Sequence, residues 1–151
     1  MSLSIRLFSA ILCTFCLVLI SACKKDSKEL SDTPTIEFRS INPSSVTEYA
    51  DSIEIVIWYR DGDGDLGENK DGVENLFVTD SRDQITYAFR IPQLAPTGSS
   101  IAIQGLIPIQ LTNTAITDGS ASQSVGYSVY VVDRAGNKSN TVPTSVITVT
   151  Q

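Results

Sequence analysis

The chain of 151 residues contains no histidine. That absence excludes Ser-His-Asp and Cys-His catalytic pairs, histidine-ligated zinc and an imidazole pH switch. Cysteine is scarce: Cys13, Cys16 and Cys23 are the only three, so no disulfide framework holds the remainder together. Basic side chains are few and scattered. Lys and Arg number 11 against 17 Asp and Glu, a net charge of −6 with no extended basic run. A nucleic-acid surface needs clustered cations to displace counterions, and none is present. After residue 20 there is no long apolar run and little helical periodicity.

The first 23 residues read as an address. Arg6 is the only charge before Lys24, and Leu7 to Ile20 runs 14 residues without one. A bilayer-spanning helix needs about 20 apolar residues, so this stretch has the size of a signal-peptide core. Ile20-Ser21-Ala22-Cys23 then resembles the lipobox of bacterial lipoproteins: a branched apolar residue, two small ones and the cysteine that is lipidated. The resemblance implies cleavage after Ala22 and a diacylglyceryl thioether on Cys23. It divides the chain into a signal peptide (1–22), a lipidated flexible tether (23–34) and a folded domain (35–151). Two or three acyl chains hold a protein on a membrane almost irreversibly. The membrane is therefore an expected partner through lipid. Lys24 after Cys23 is similar to lipoproteins sent to the outer membrane, and periplasmic or cell-surface orientation stays open. A plain secretory signal with an incidental cysteine, or an uncleaved anchor, is the alternative.

From Thr35 onward the pattern is strand and turn. In Ile53–Arg60, Ile53, Ile55, Ile57 and Tyr59 alternate with Glu54, Val56, Trp58 and Arg60, the period of two of a half-buried strand. Similar runs occur at Thr35–Ile41, Asn75–Thr79, Ile85–Ile91, Ile101–Leu111, Gly126–Val132 and Val142–Thr150, separated by turn residues such as Asp118-Gly119 and Ala135-Gly136-Asn137. Seven strands without long helices predict an all-β, two-sheet antiparallel sandwich. Pro108 marks its run as an edge strand, a bulged strand or two short ones. Trp58, Tyr59 and Tyr130, lying within strands, are expected in the core. Tyr127–Ser139, a Tyr-rich strand followed by Asp133-Arg134-Ala135-Gly136-Asn137-Lys138-Ser139, is similar to the last hairpin of bacterial immunoglobulin-like and fibronectin-III-like extracellular domains. That resemblance implies an immunoglobulin-like sandwich.

One segment is chemically dense. Six of the 17 acids fall between Asp61 and Glu74, in Asp-Gly-Asp-Gly-Asp-Leu-Gly-Glu-Asn-Lys-Asp-Gly-Val-Glu. Like charges about 4 Å apart repel by about 4 kcal/mol at an effective dielectric near 20, so compacting this loop requires a counter-ion or full solvation. Glycines between the acids let a tight loop turn several carboxylates to one point. Hard oxygen donors without His or Cys favour calcium. Asp61, Asp63, Asp65, Glu68 and Asp71 are the candidate ligands, with Glu74 as an alternative to the last two; a solvated acidic turn is the competing reading. The loop resembles the first half of an EF-hand, yet Leu66 stands where that loop needs glycine and Gly72 where it needs glutamate. It is closer to the Asp-Gly-Asp-Gly-Asp loops of secreted bacterial β domains.

These features point to a lipid-anchored, calcium-stabilised, non-catalytic binding module of the cell envelope, contacting a protein or a glycan. An assembly subunit of an outer-membrane complex is the second reading. A small calcium-dependent hydrolase is the third, disfavoured because its acids sit in one short loop and not across a cleft.

Overall fold

The computed structural model describes residues Leu30–Gln151; the expected signal peptide, the candidate lipidation site Cys23 and the expected tether as far as Glu29 lie outside the described residues. Ten strands follow one another without a helix: β1 Thr35–Asn42, β2 Ser45–Thr47, β3 Ile53–Asp61, β4 Leu76–Asp80, β5 Thr86–Phe89, β6 Ile103–Leu111, β7 Ser122–Val125, β8 Tyr127–Val131, β9 Val142–Pro143 and β10 Ile147–Thr150. They form an all-β sandwich. One layer has the order β1-β3-β6; the other is built from β5-β4-β8-β9 and β2-β10-β7. All pairings are antiparallel except that of β2 with β10. The last two sheets share their chain segments: β7 runs into β8 through Gly126, and β9 runs into β10 through residues 144–146. The β7–β10 and β8–β9 pairs are thus one hairpin interrupted at a single level.

The seven expected strands are all present, and three additional ones appear. The predicted Val142–Thr150 run divides because Pro143 cannot donate to a ladder. Ser45–Thr47 and Ser122–Val125 are short and polar, so their periodicity is too brief to stand out from turns. β6 is an edge strand with Pro108 in an unbroken register opposite Val56, one of the expected alternatives.

The core lies between the layers. Ile36, Ile53, Ile55 and Ile57 of one layer meet Leu76, Val78, Val129, Val131, Val125, Ile147 and Val149 of the other, all buried. Burying such side chains contributes about 1.5–3 kcal/mol each. Tyr59 belongs to this core, its ring seated over Gly105, but Trp58 and Tyr130 do not. Strand alternation sends Trp58 to the outer face of its layer beneath Arg39 and Arg60, whose guanidinium carbons lie 5.5 and 5.9 Å from the ring centroid. Tyr130 is on the outer face of the other layer, stacked on Phe77 at 4.8 Å with the Lys138 amine 3.7 Å from its centroid. The expectation of core aromatics failed there because parity, not hydrophobicity, assigns a strand residue to its face.

A side chain joins the layers where no ladder does. Asn140 accepts from the Ile36 amide and donates to the Ile36 carbonyl, both at 2.9 Å, imitating a strand partner. Asn140→Ala removes both bonds to one residue and should lower stability by about 1–3 kcal/mol. Urea unfolding measures this; a loss under about 0.5 kcal/mol would show that water replaces the amide at no cost.

Candidate metal centre

β3 ends at Asp61, and the chain then makes tight turns through Gly62, Gly64 and Gly67. Gly64 and Gly67 have φ of +77° and +86°. A Cβ at Gly64 would overlap the Ile101 carbonyl oxygen, and one at Gly67 the Pro92 carbonyl oxygen, so the loop is pressed against the β5–β6 connection. Leu66 is fully buried and pins the loop to the core. The residue that breaks the EF-hand pattern is therefore the anchor of this loop.

This path folds Asp61 inward. Its side chain is completely buried, and its Oδ2 accepts the Leu66 amide at 2.9 Å. Asp65 reaches across to the β8–β9 turn, where its Oδ2 accepts the Ala135 amide at 3.0 Å. Arg134 on that turn donates to the Gly67 carbonyl at 2.8 Å, which stitches the two segments together. Asp133 opens the turn and is also buried, its carboxylate accepting the Asn137 amide at 2.7 Å and the Asn137 side-chain nitrogen at 2.9 Å.

The three carboxylates converge: Asp61, Asp65 and Asp133 each offer an oxygen within 4.8 Å of the others. Two oxygens bound at about 2.4 Å to one calcium are at most about 4.8 Å apart, so the spacing suits a common ion. Two of the oxygens, Asp61 Oδ1 and Asp65 Oδ1, are buried and have no hydrogen-bond partner. Such atoms cost about 1–3 kcal/mol each, and more when charged, unless a partner satisfies them. No Lys or Arg pairs with any of the three acids among the described residues. The donor set, all hard carboxylate oxygen, fits a calcium ion.

The other candidate ligands are placed differently. Asp63 Oδ1 accepts the Asp65 amide at 3.3 Å, and its charge bears on both Asp61 and Asp65, but it is not one of the converging three. Glu68 is held by its own amide on the Ile91 carbonyl, with its carboxylate apart from the cluster. Asp71 is fully exposed and pairs with Arg90 at 3.1 Å, and Glu74 is exposed. Asp133, about seventy residues away along the chain, was missed as a ligand because no local spacing connects it to the loop.

Burial pushes the Asp61 carboxyl above the ordinary carboxylate range, with repulsion from Asp63 and Asp133 in the same direction and the Leu66 amide opposing. Asp65 is raised by burial and then by Asp133 and Asp63. A carboxyl with a raised folded value holds its proton more tightly when folded. Its favourable contribution is full below the ordinary aspartate value of about 4 and is lost as pH rises through the raised one. In chelator, the chain should therefore lose stability relative to Asp61→Asn as pH rises from about 4 to 7, whereas calcium, which needs the ionised form, should reverse the trend. Paired thermal melts check this; a chain-to-variant difference independent of pH would contradict it.

A groove of about 460 Å³ opens between β5 and β6, lined by apolar side chains with Arg90 and Gln110. None of the three clustered acids lines it. No known protein family, no curated protein and no solved structure matches the chain.

Proposed function

We propose that this chain is a lipid-anchored cell-envelope β-sandwich whose loop end is fixed by one calcium ion, and that it acts as a non-catalytic binding module. The carrying observation is the pair of buried, unpartnered oxygens, Asp61 Oδ1 and Asp65 Oδ1, beside Asp133. A merely solvated acidic turn would leave its carboxylates in water; these have been removed from it without a cation from the protein. The ion is structural on this reading, since the cluster joins two loops and is built from two buried aspartates and one half-buried one. The lipobox-like Ile20–Cys23 would supply the anchor, and Lys24 after Cys23 supports the outer membrane as its destination. Loops at the ends of such a sandwich would carry recognition.

Calcium titration by calorimetry of the fragment 30–151, which contains the hydrophobic core of the described residues, tests the ion. Saturable one-to-one binding is expected, abolished in Asp133→Ala; an absence of heat together with an unchanged melt would remove calcium from the reading. Cys23→Ser tests the anchor separately, with the chain expected to lose acyl label and leave the membrane fraction. Retention of both would remove the lipid.

A further inference from the structure

The outer face of the β1-β3-β6 layer is unlike an ordinary solvated sheet. Trp58 on β3 lies opposite Leu106 on β6, and Val56 lies opposite Pro108, so the β3–β6 half of the face is apolar, while on β1 the paired Glu37 and Arg39 flank Trp58. Leu106 is 61 % exposed. Arg60 lies beyond Trp58 at one end of the strip and Glu54 beyond Val56 at the other. Neither forms an ion pair among the described residues: the pairs present are Arg39–Glu37, Arg82–Asp80 and Arg90–Asp71. An apolar centre containing tryptophan within a charged rim is the composition of a protein contact surface.

The order of charges along β3 identifies the occupant. Read from one end, the outward side chains are Arg60, Trp58, Val56 and Glu54. A two-fold axis lying in the contact plane, across the strands and midway between Trp58 and Val56, reverses strand direction. It carries Arg60 onto Glu54 of a second copy, Trp58 onto Val56, and Leu106 onto Pro108. A two-fold running along β3 would instead set Arg60 on Arg60 and Glu54 on Glu54. We propose that this face pairs with the same face of a second copy of the chain, strands antiparallel, as a self-complementary contact closed by two Arg60–Glu54 pairs. The inference goes beyond the calcium reading and depends on neither the ion nor the anchor.

Three strands about 4.8 Å apart and nine residues at about 3.3 Å each make a face of about 14 by 30 Å, which places the contact among small, reversible interfaces. The same axis brings Gln104 near Gln110 of the other copy. The test therefore uses two full-length chains, one carrying Gln104→Cys and one Gln110→Cys, both positions exposed. They are co-expressed and oxidised in whichever fraction, membrane or soluble, contains them. A disulfide dimer is expected from the mixture and not from either alone or the unsubstituted chain. Arg60→Glu in both chains should lower its yield about tenfold, and adding Glu54→Arg should restore it. Failure of the mixture to cross-link, equal cross-linking of single variants, indifference to the charge reversal, or a disulfide to a different protein in place of the dimer would each overturn the proposal.

Discussion

Adding calcium to chelator-treated protein should raise the melting temperature by about 10–15 °C. At a free concentration a hundredfold above the dissociation constant, an ion that binds only the folded state contributes about 2.7 kcal/mol. For a domain of this size each kcal/mol moves the midpoint by about 4–6 °C. Asp61→Asn should split this behaviour into two opposite effects. The amide keeps an oxygen for the Leu66 amide and removes a buried negative charge close to Asp65 and Asp133. In chelator the variant should melt above the parent chain, and in calcium well below it, because the ion has lost its most enclosed ligand. A variant less stable than the parent in both conditions would mean that the Asp61 charge is satisfied by the protein alone. Equal response to calcium in both chains would put the ion elsewhere.

Arg82→Ala should cost about 3–5 kcal/mol, the largest loss expected from any single surface-loop position, and lower the melting temperature by about 15–25 °C. Arg82 grips Asp80 through Nε at 3.0 Å and Nη2 at 2.7 Å, and the same carboxylate accepts the Arg82 amide at 2.8 Å. Its remaining nitrogen donates to the Ala115 carbonyl at 2.8 Å and to Gln123 at 2.9 Å, so one guanidinium joins the β4–β5 turn, the β6–β7 loop and β7. Asp80 is 1 % exposed. Its hydrogen bonds hold the Arg82 guanidinium above its usual range. Deleting the cation strands a buried carboxylate, and Arg82→Lys recovers little because an ammonium cannot address three partners from one plane. Denaturant unfolding measures both; a loss below about 1 kcal/mol for Arg82→Ala would mean that water reaches Asp80.

How much of this was legible in the sequence depended on the distance over which each signal acts. The alternation in Ile53–Arg60 specifies strand and inner face within eight residues, and the structure follows it residue by residue. Short polar strands such as Ser45–Thr47 exist only because β10 lies alongside, a fact no local window contains. The acidic loop showed the same division. Its glycine spacing announced a tight turn of carboxylates, but which acids converge was settled by Leu66 entering the core and by the β8–β9 turn arriving with Asp133. Asp71 looked equivalent in the sequence and pairs instead with Arg90, because the chain has left the core by that point.

The termini of the described chain also bear on mechanics. Ser31 accepts the Gly62 amide at 3.0 Å beside the acidic cluster, and β1 then runs the length of the sandwich away from it. A domain hung from Cys23 and gripped by its far loops would be pulled along β1. Tension would act lengthwise on the whole β1–β3 ladder and on the Asn140 clasp at Ile36, loading their hydrogen bonds together and not one after another. The same chain pulled sideways at β1 would unzip bond by bond. On the proposed anchoring at Cys23, the attachment point would select the stiff direction of the fold, an arrangement suited to a part that must stay folded under shear. Single-molecule pulling from residue 30 against residue 151 should show a higher rupture force than pulling across β1, and equal forces would mean that β1 does not carry the tension.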